Sequence, residues 1–532
     1  MTAMNGTGML LRLNLRLDRI QLPAWFLGFF ILVWASVIAI KDAYPTPEAL
    51  ATRAQLLHNP AAVMMTGPLL ATDDYTLGAA LANELSLYVF LPAAIMSVLL
   101  VVRHTRAEEE SGRLEMLGAL PISRFAPASA TVLTLVIANL LVAIAVTAGL
   151  IAAGAATTDS IAFGVATGLT GMVFGGVAAV TAQVSEFAGP ARGTALGFIA
   201  LAFVVRGIGD VIDPQGSWLS WLSPFAWAQQ TRLYVDLRWW PLLISLGVAV
   251  LLFLIAAALN HRRDLGAGLR AGADGPAEAH RYLLSPAGLA WRLRRGGFIA
   301  WGVGLFLLAA AMGSLANELE PMVESTPDLA SWVPLDVDSL TESFAAVILS
   351  FNMLAPAALM VGGVLAIRGE EYAGRLEKVL LTGTSRTGFI AGWGAVITSL
   401  SILVTVVLGL GVGAGVSATT GDWAWLGETA LASAAYLPVV LFFGGLSLAL
   451  YGWAPRFTLL AWLLVAWSAL VSFLGELLNL PDWARGISPL WHIPLVPEAD
   501  VKVAPLLVLT GLAVVLALVG LAGFRRRDLA DR

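Results

Sequence analysis

Two stretches of the chain, 262 residues apart, set carboxylates and guanidinium groups at the same spacing. The first reads RAEEESGRLEMLGALPISR, from Arg106 to Arg124; the second reads RGEEYAGRLEKVLLTGTSR, from Arg368 to Arg386. Nine of nineteen positions are identical: Arg106/Arg368, Glu108/Glu370, Glu109/Glu371, Gly112/Gly374, Arg113/Arg375, Leu114/Leu376, Glu115/Glu377, Ser123/Ser385 and Arg124/Arg386. Glu109 and Arg113 stand four apart, as do Glu371 and Arg375, which predicts a short helix carrying an ion pair. Leu114, Met116, Leu117 and Leu120 give the first such helix an apolar side. The chemistry on offer is recognition: a charged amphipathic helix that docks into a soluble partner. A loop that only fixed membrane topology would need positive charge, not paired glutamates.

Other chemistries lack their residues. With no cysteine, the chain has no disulfide, thiolate metal site or cysteine nucleophile. His58, His104, His261, His280 and His492 form no ligand-spaced pair, so no metal site is expected. No G-x-x-x-x-G-K-[ST] phosphate loop occurs, and none of Lys41, Lys378 and Lys502 stands in such a setting. The chain is therefore expected to bind no ATP or other cofactor itself. A lipid-modifying membrane enzyme would need clustered His, Asp or Lys at an interface, and none is seen. The net charge of −5 says little about partners, and no nucleic acid is expected among them.

The scaffold behind these loops follows from composition. The chain is 58% hydrophobic and 13% charged, with a mean hydropathy of +0.81; soluble chains run near 25% charged. The bilayer is the solvent for most of this surface. A spanning helix needs about 20 mostly apolar residues. Such segments lie near 23–40, 79–102, 126–154, 161–184, 191–212 and 239–260, then near 297–316, 343–367, 388–416, 429–450, 457–478 and 503–524. Continuous apolar runs exclude a β-barrel. The expected fold is an all-α polytopic membrane protein of about 12 transmembrane helices, arranged as two tandem six-helix bundles with short cytoplasmic helices. Residues 1–260 form the first half, 261–284 a cytoplasmic linker, and 285–532 the second half.

Loop charge sets the orientation. With both termini cytoplasmic, 24 of the 31 basic residues lie inside; Lys41, Arg53, Arg232, Arg238, Arg485 and Lys502 lie outside, and Arg206 lies in a span. The acidic stretch 317–342 fits an outer loop, and tryptophans such as Trp239 and Trp240 gather near span borders. Residues 9–22 lack the form of a cleavable signal peptide. Arg12, Arg16 and Arg19 share one helix face there, as in an amphipathic helix lying on the membrane surface. The segment LAWRLRRGG before the seventh span mirrors it. Three lysines against 28 arginines, with abundant Ala, Gly and Val, suit a high-GC bacterial source.

Four ionisable residues fall within spans, toward their outer ends: Glu84, Arg206, Asp210 and Glu476. Such residues are costly in lipid and mark functional or paired groups. Arg206 and Asp210 stand four apart and are expected to pair. The alternatives are an outer gate on a release path or plain structural pairing. Glycine runs at 168–176 and 409–415 are expected to serve close helix packing.

The duplication extends past the loops. RRDL recurs at 262–265 and 526–529, and Ser-Pro recurs at Ser223-Pro224 and Ser488-Pro489. An offset near 262 to 265 at three separated places marks an internal repeat. Even numbers of spans keep both repeats in one orientation, which implies a pseudo-two-fold axis along the membrane normal and a pathway between the halves.

The amphipathic segment before the first span and the E-E-x-x-G-R-L-E loop after the second resemble the membrane subunits of ATP-binding cassette (ABC) exporters, and more narrowly the type 2 exporter permeases. The resemblance covers nearly the whole chain, twice over. It implies that Arg106, Glu108, Glu109, Gly112, Arg113, Leu114 and Glu115, with Arg368, Glu370, Glu371, Gly374, Arg375, Leu376 and Glu377, form coupling helices that contact an ATPase. It implies two ABC ATPase copies per chain, which carry the ATP and Mg, and a hydrophobic or amphipathic small-molecule substrate leaving a bacterial cell membrane. It also implies short re-entrant helices before the last span of each half, which 214–238 suits better than the proline-rich 479–499. The fused double length resembles exporters of polyketide antibiotics and ionophores. A proton-coupled transporter of the major facilitator type also has six plus six spans. Its second-span loop carries Asp-Arg, which the Gly112-Arg113 loop lacks.

Overall fold

The computed structural model describes residues 5–57, 60–71, 74–118, 121–264, 266–269, 278–316, 340–474 and 480–528. Every regular element among them is helical, and 12 helices are long and apolar enough to cross a membrane. The chain divides into two compact units, Met1–Gly275 and Pro276–Arg532. Each unit has its own apolar core. The boundary falls inside the segment read as a linker. Glu476 and most of the acidic stretch 317–342 lie outside the described residues.

The first unit opens with α1 (Thr7–Leu17), a short helix apart from the first span. Its Leu10 is buried with Ala126 and Ala130, while Arg12, Arg16 and Arg19 stay exposed. The spans are α2 (Gln21–Ala43), α5 (Leu77–His104), α8 (Ala126–Ala152), α9 (Thr157–Val184), α10 (Ala188–Ile212) and α12 (Trp240–His261). Between them lie α3 (Pro47–Leu56), α4 (Pro60–Thr66), α6 (Arg106–Glu110), α7 (Arg113–Gly118) and α11 (Pro224–Gln229). In lipid a helix satisfies its own backbone, so apolar side chains can face outward without penalty. Thus α12 exposes Leu243, Leu246, Val250 and Leu254, while α5 and α9 are buried and meet through Phe90 and Phe163, 5.5 Å apart.

The second unit has α13 (Pro286–Gly313), α14 (Leu340–Asn352), α15 (Leu354–Tyr372), α16 (Arg375–Leu381), α17 (Arg386–Thr420), α18 (Trp425–Ala434), α19 (Leu437–Trp453), α20 (Leu459–Leu474), α21 (Asp482–Arg485) and α22 (Val503–Arg526). Two spans are interrupted: α14/α15 forms one and α18/α19 another. A proline cannot donate to the carbonyl four residues back. Pro356 and Pro438 deny that bond to Asn352 and Ala434, where the helices α14 and α18 end. The basic segment LAWRLRRGG is no separate surface helix. It forms the first turns of the continuous 28-residue α13, so the mirror of α1 is one of composition only.

The glycine runs do pack. A β-carbon on Gly415 would stand 2.1 Å from the Ala310 carbonyl oxygen, and one on Gly171 would stand 1.9 Å from Asn139 Oδ1. The last span of the second unit is seated the same way, since a β-carbon on Gly452 would stand 2.1 Å from the Gly520 carbonyl oxygen.

Candidate functional site

The repeated loops occupy one end of each unit. In the first, α5 stops at His104, whose Nε2 lies 2.5 Å from Asp18 Oδ2; Asp18 Oδ1 also meets Arg103 at 2.8 Å. The corner between α1 and α2 is thereby tied to the root of the loop. The chain then makes α6, turns at Gly112 and makes α7. Gly112 has φ 73° and Gly374 has φ 66°, in the left-handed region that glycine adopts most freely. These two glycines occupy matching places because each loop changes direction there.

That turn alters the pairing expected from spacing. Glu109 and Arg113 do not pair across a helical turn. The helix breaks between them. Instead Glu108 pairs with Arg113 at 3.0 Å and Glu370 with Arg375 at 2.6 Å, five residues apart across the glycine. The exposures match closely: 60% for both arginine side chains, 19% and 16% for the glutamates. Leu114 is half-buried and Leu376 buried, while Glu115 and Glu377 are exposed. Met116 and Leu381 present bare apolar surface at 70% and 86% exposure. Leu117's side chain and Leu120 lie outside the described residues.

Glu109 and Glu371 turn inward. Glu109 accepts from both terminal nitrogens of Arg263, at 2.8 and 2.5 Å, and Glu371 accepts from both of Arg527, at 2.7 and 2.6 Å. Arg263 and Arg527 are the second arginines of the repeated RRDL segments. The two duplicated motifs thus meet as a bidentate ion pair in each unit. Arg124 donates to the carbonyls of Asn260 and Arg263, at 3.1 and 3.0 Å; Arg386 donates to those of Phe524, Arg525 and Arg527. Carbonyls at a helix C-terminus have no partner within the helix, and a cation there is favoured.

Around these shared contacts the units differ. Arg106 is buried and donates to Glu109 and to the carbonyls of Ala182 and Ala267. Arg368 instead donates to Thr458 Oγ1 and the Tyr372 hydroxyl. The Tyr451 hydroxyl donates to Glu371 at 2.5 Å, and its ring lies 4.8 Å from the Arg527 guanidinium. Burial alone would lower the pKa of Arg527, but its hydrogen bonds to the Glu371 carboxylate, the nearby Tyr451 oxygen and the Glu371 charge outweigh it and hold it above its ordinary value.

Of the four charges read within spans, the three among the described residues are paired. Arg206 and Asp210 meet at 3.3 Å, both fully buried. Asp210 also accepts from Ser220 at 2.6 Å, and Arg206 donates to the Met64 carbonyl. Glu84 binds Arg53 of α3 at 2.7 Å and accepts from the Tyr44 hydroxyl at 3.2 Å. Burial and the Glu84 charge push the Tyr44 phenol up from its ordinary pKa. Nearby, a cavity of ≈ 30 Å³ is lined in part by Tyr75, Asn83, Ser86 and Gln229. It has room for water, whereas drug-sized ligands need about 300 Å³ or more.

Arg263, Arg527, Arg124 and Arg386 carry the loop's anchoring. The duplicated RRDL was the signal for the first two, since it stood in the sequence with no chemical role attached. Tyr451 left no such signal, because its counterpart position has no matching motif.

A family model described as "Multidrug efflux system permease Rv1217c, C-terminal domain" matches residues 9–260 and again residues 283–525. The multidrug efflux system permease protein Rv1217c of Mycobacterium tuberculosis is 35% identical over 529 residues, which cover 98% of this chain and 95% of that protein.

Proposed function

This chain belongs to the family of the multidrug efflux permease Rv1217c, and from that premise we propose that it is the membrane subunit of an ATP-driven exporter of the type 2 ABC class. It moves hydrophobic or amphipathic drugs out of a bacterial cell. Two copies of a separate ABC ATPase bind it, one at each repeated loop, and carry the ATP and Mg. The loops and both termini then face the cytoplasm. Drugs of the polyketide-antibiotic or ionophore kind are the first substrates to try.

One observation carries this reading. The same glycine-broken loop occurs in both units, with an exposed arginine paired to a half-buried glutamate at its rim and an inward glutamate that fixes its base. Two outward-facing helices at matching places, each anchored by an inward glutamate, suit a pair of identical partners. Because Glu109 and Glu371 are internal, the docking surface is Glu115, Met116, Glu377 and Leu381.

The test is co-purification. Glu115→Lys with Glu377→Lys should abolish recovery of the ATPase and restore drug susceptibility, with the permease still folded. Full recovery of the partner would sink the docking reading. Efflux that survives ATP depletion but stops with the proton gradient would favour a secondary transporter instead.

A further inference from the structure

We infer that Arg263 and Arg527 are positioning residues through which each loop moves the last span of its own half. The inference rests on the proposed docking at the loops and names where the motion goes next.

By connectivity each loop joins the second span of its half to the third. Its side chains bind elsewhere. At the loop's near end, Glu109 grips the Arg263 guanidinium and Glu371 grips that of Arg527. At its far end, Arg124 and Arg386 grip backbone carbonyls at the tail of the same last span. The tail is therefore held at two points by one loop. A bidentate carboxylate–guanidinium contact resists rotation as well as separation. Its burial limits screening by salt. A push on α7 or α16 thus displaces the end of α12 or α22.

The last span is in turn seated on the fourth of its unit. A β-carbon on Gly176 of α9 would stand 2.8 Å from Leu252 Cβ of α12, and Gly452 of α19 abuts Gly520 of α22. Side chains this close leave little slack for the motion to be lost.

The repeat separates this from a simple fold staple. Arg106 and Arg368, also at identical positions, have exchanged all their partners between the units. The Glu109–Arg263 and Glu371–Arg527 contacts, and those of Arg124 and Arg386, keep theirs. Of the bonds that leave the loop, those from loop to last span recur in both units.

The experiment uses the full permease–ATPase complex in vesicles. Arg263→Gln with Arg527→Gln should leave partner recovery intact and lower drug transport per ATP hydrolysed by about tenfold. The exchange Glu371→Arg with Arg527→Glu should restore coupling in the second half, where Arg368 binds Thr458 and Tyr372. A folded double Gln variant with its partner and unchanged transport per ATP overturns the inference, as does loss of the partner that the exchange does not rescue.

A second measurement leaves the contacts untouched. The chain has no cysteine, so spin labels at the exposed positions Ser111→Cys and Arg262→Cys, off the docking surface, report the loop-to-tail distance alone. That distance should stay fixed between nucleotide-free and ATP-bound states. A change of several ångströms overturns the inference. The docking reading fails separately, through the Glu115 and Glu377 variants.

Discussion

Arg206 sits with Asp210 where no water reaches, so Asp210→Asn strips the counter-charge from an enclosed guanidinium. Breaking a buried pair from one side costs about 3–5 kcal/mol. The variant is expected to lose that much stability, read as a clear fall in the thermal unfolding midpoint of the detergent-purified protein. Arg238→Ala removes an exposed partner of Asp236, a change of about 0–1 kcal/mol that should leave the midpoint in place. At this scale the sequence showed which charges matter and mispaired some of them. Arg206 and Asp210 lie on one unbroken helix, so counting four residues found the contact. Glu109 and Arg113 flank a glycine in the left-handed region, and there the same count fails. Glu109 pairs locally with Arg106, but its bidentate partner is 154 residues away, beyond the reach of any local spacing rule.

Helix contacts set a different scale of energy. Gly452→Ala drives a methyl group into the Gly520 carbonyl of the neighbouring helix; overpacking of this kind costs about 1–3 kcal/mol. Gly511→Ala on that neighbour meets nothing within 4 Å and should be neutral or slightly stabilising. Thermal unfolding of the two variants side by side reads the difference, and equal midpoints would refute the close-packing account. Hydropathy made all twelve spans legible because lipid demands long apolar runs. The interruptions at Asn352 and Ala434 were less visible. They follow from Pro356 and Pro438, whose effect is a lost backbone bond and not a change in apolar character. The basic stretch before the seventh span read like that before the first, yet it is the start of α13. Composition alone does not say whether a helix continues.

At the scale of the whole molecule, each unit closes its own core and its own loop-to-tail contact. Expressed as separate chains, 1–275 and 276–532 should each insert as a protease-resistant bundle. Arg263→Gln should sensitise only the first and Arg527→Gln only the second. Limited proteolysis of the separate halves checks this, and cross-sensitivity would contradict it. The duplication was the most legible property of the chain, because matched loops, RRDL and Ser-Pro share nearly one offset. The function of the matched residues was less so, since repetition says that a residue is retained and not what it touches.

The contact between Glu109 and Arg263 also sets an order of events during synthesis. Glu109 leaves the ribosome 154 residues ahead of its partner, roughly 8–30 s at ordinary elongation rates. Until then Arg106, three residues away, is the counter-charge that Glu109 has. The first bundle seals when residue 263 emerges, before any span of the second has been made. The second bundle waits for residue 527. Nascent chains therefore pass two separate sealing points, and a pause or truncation between 263 and 527 leaves one finished bundle and one unsealed.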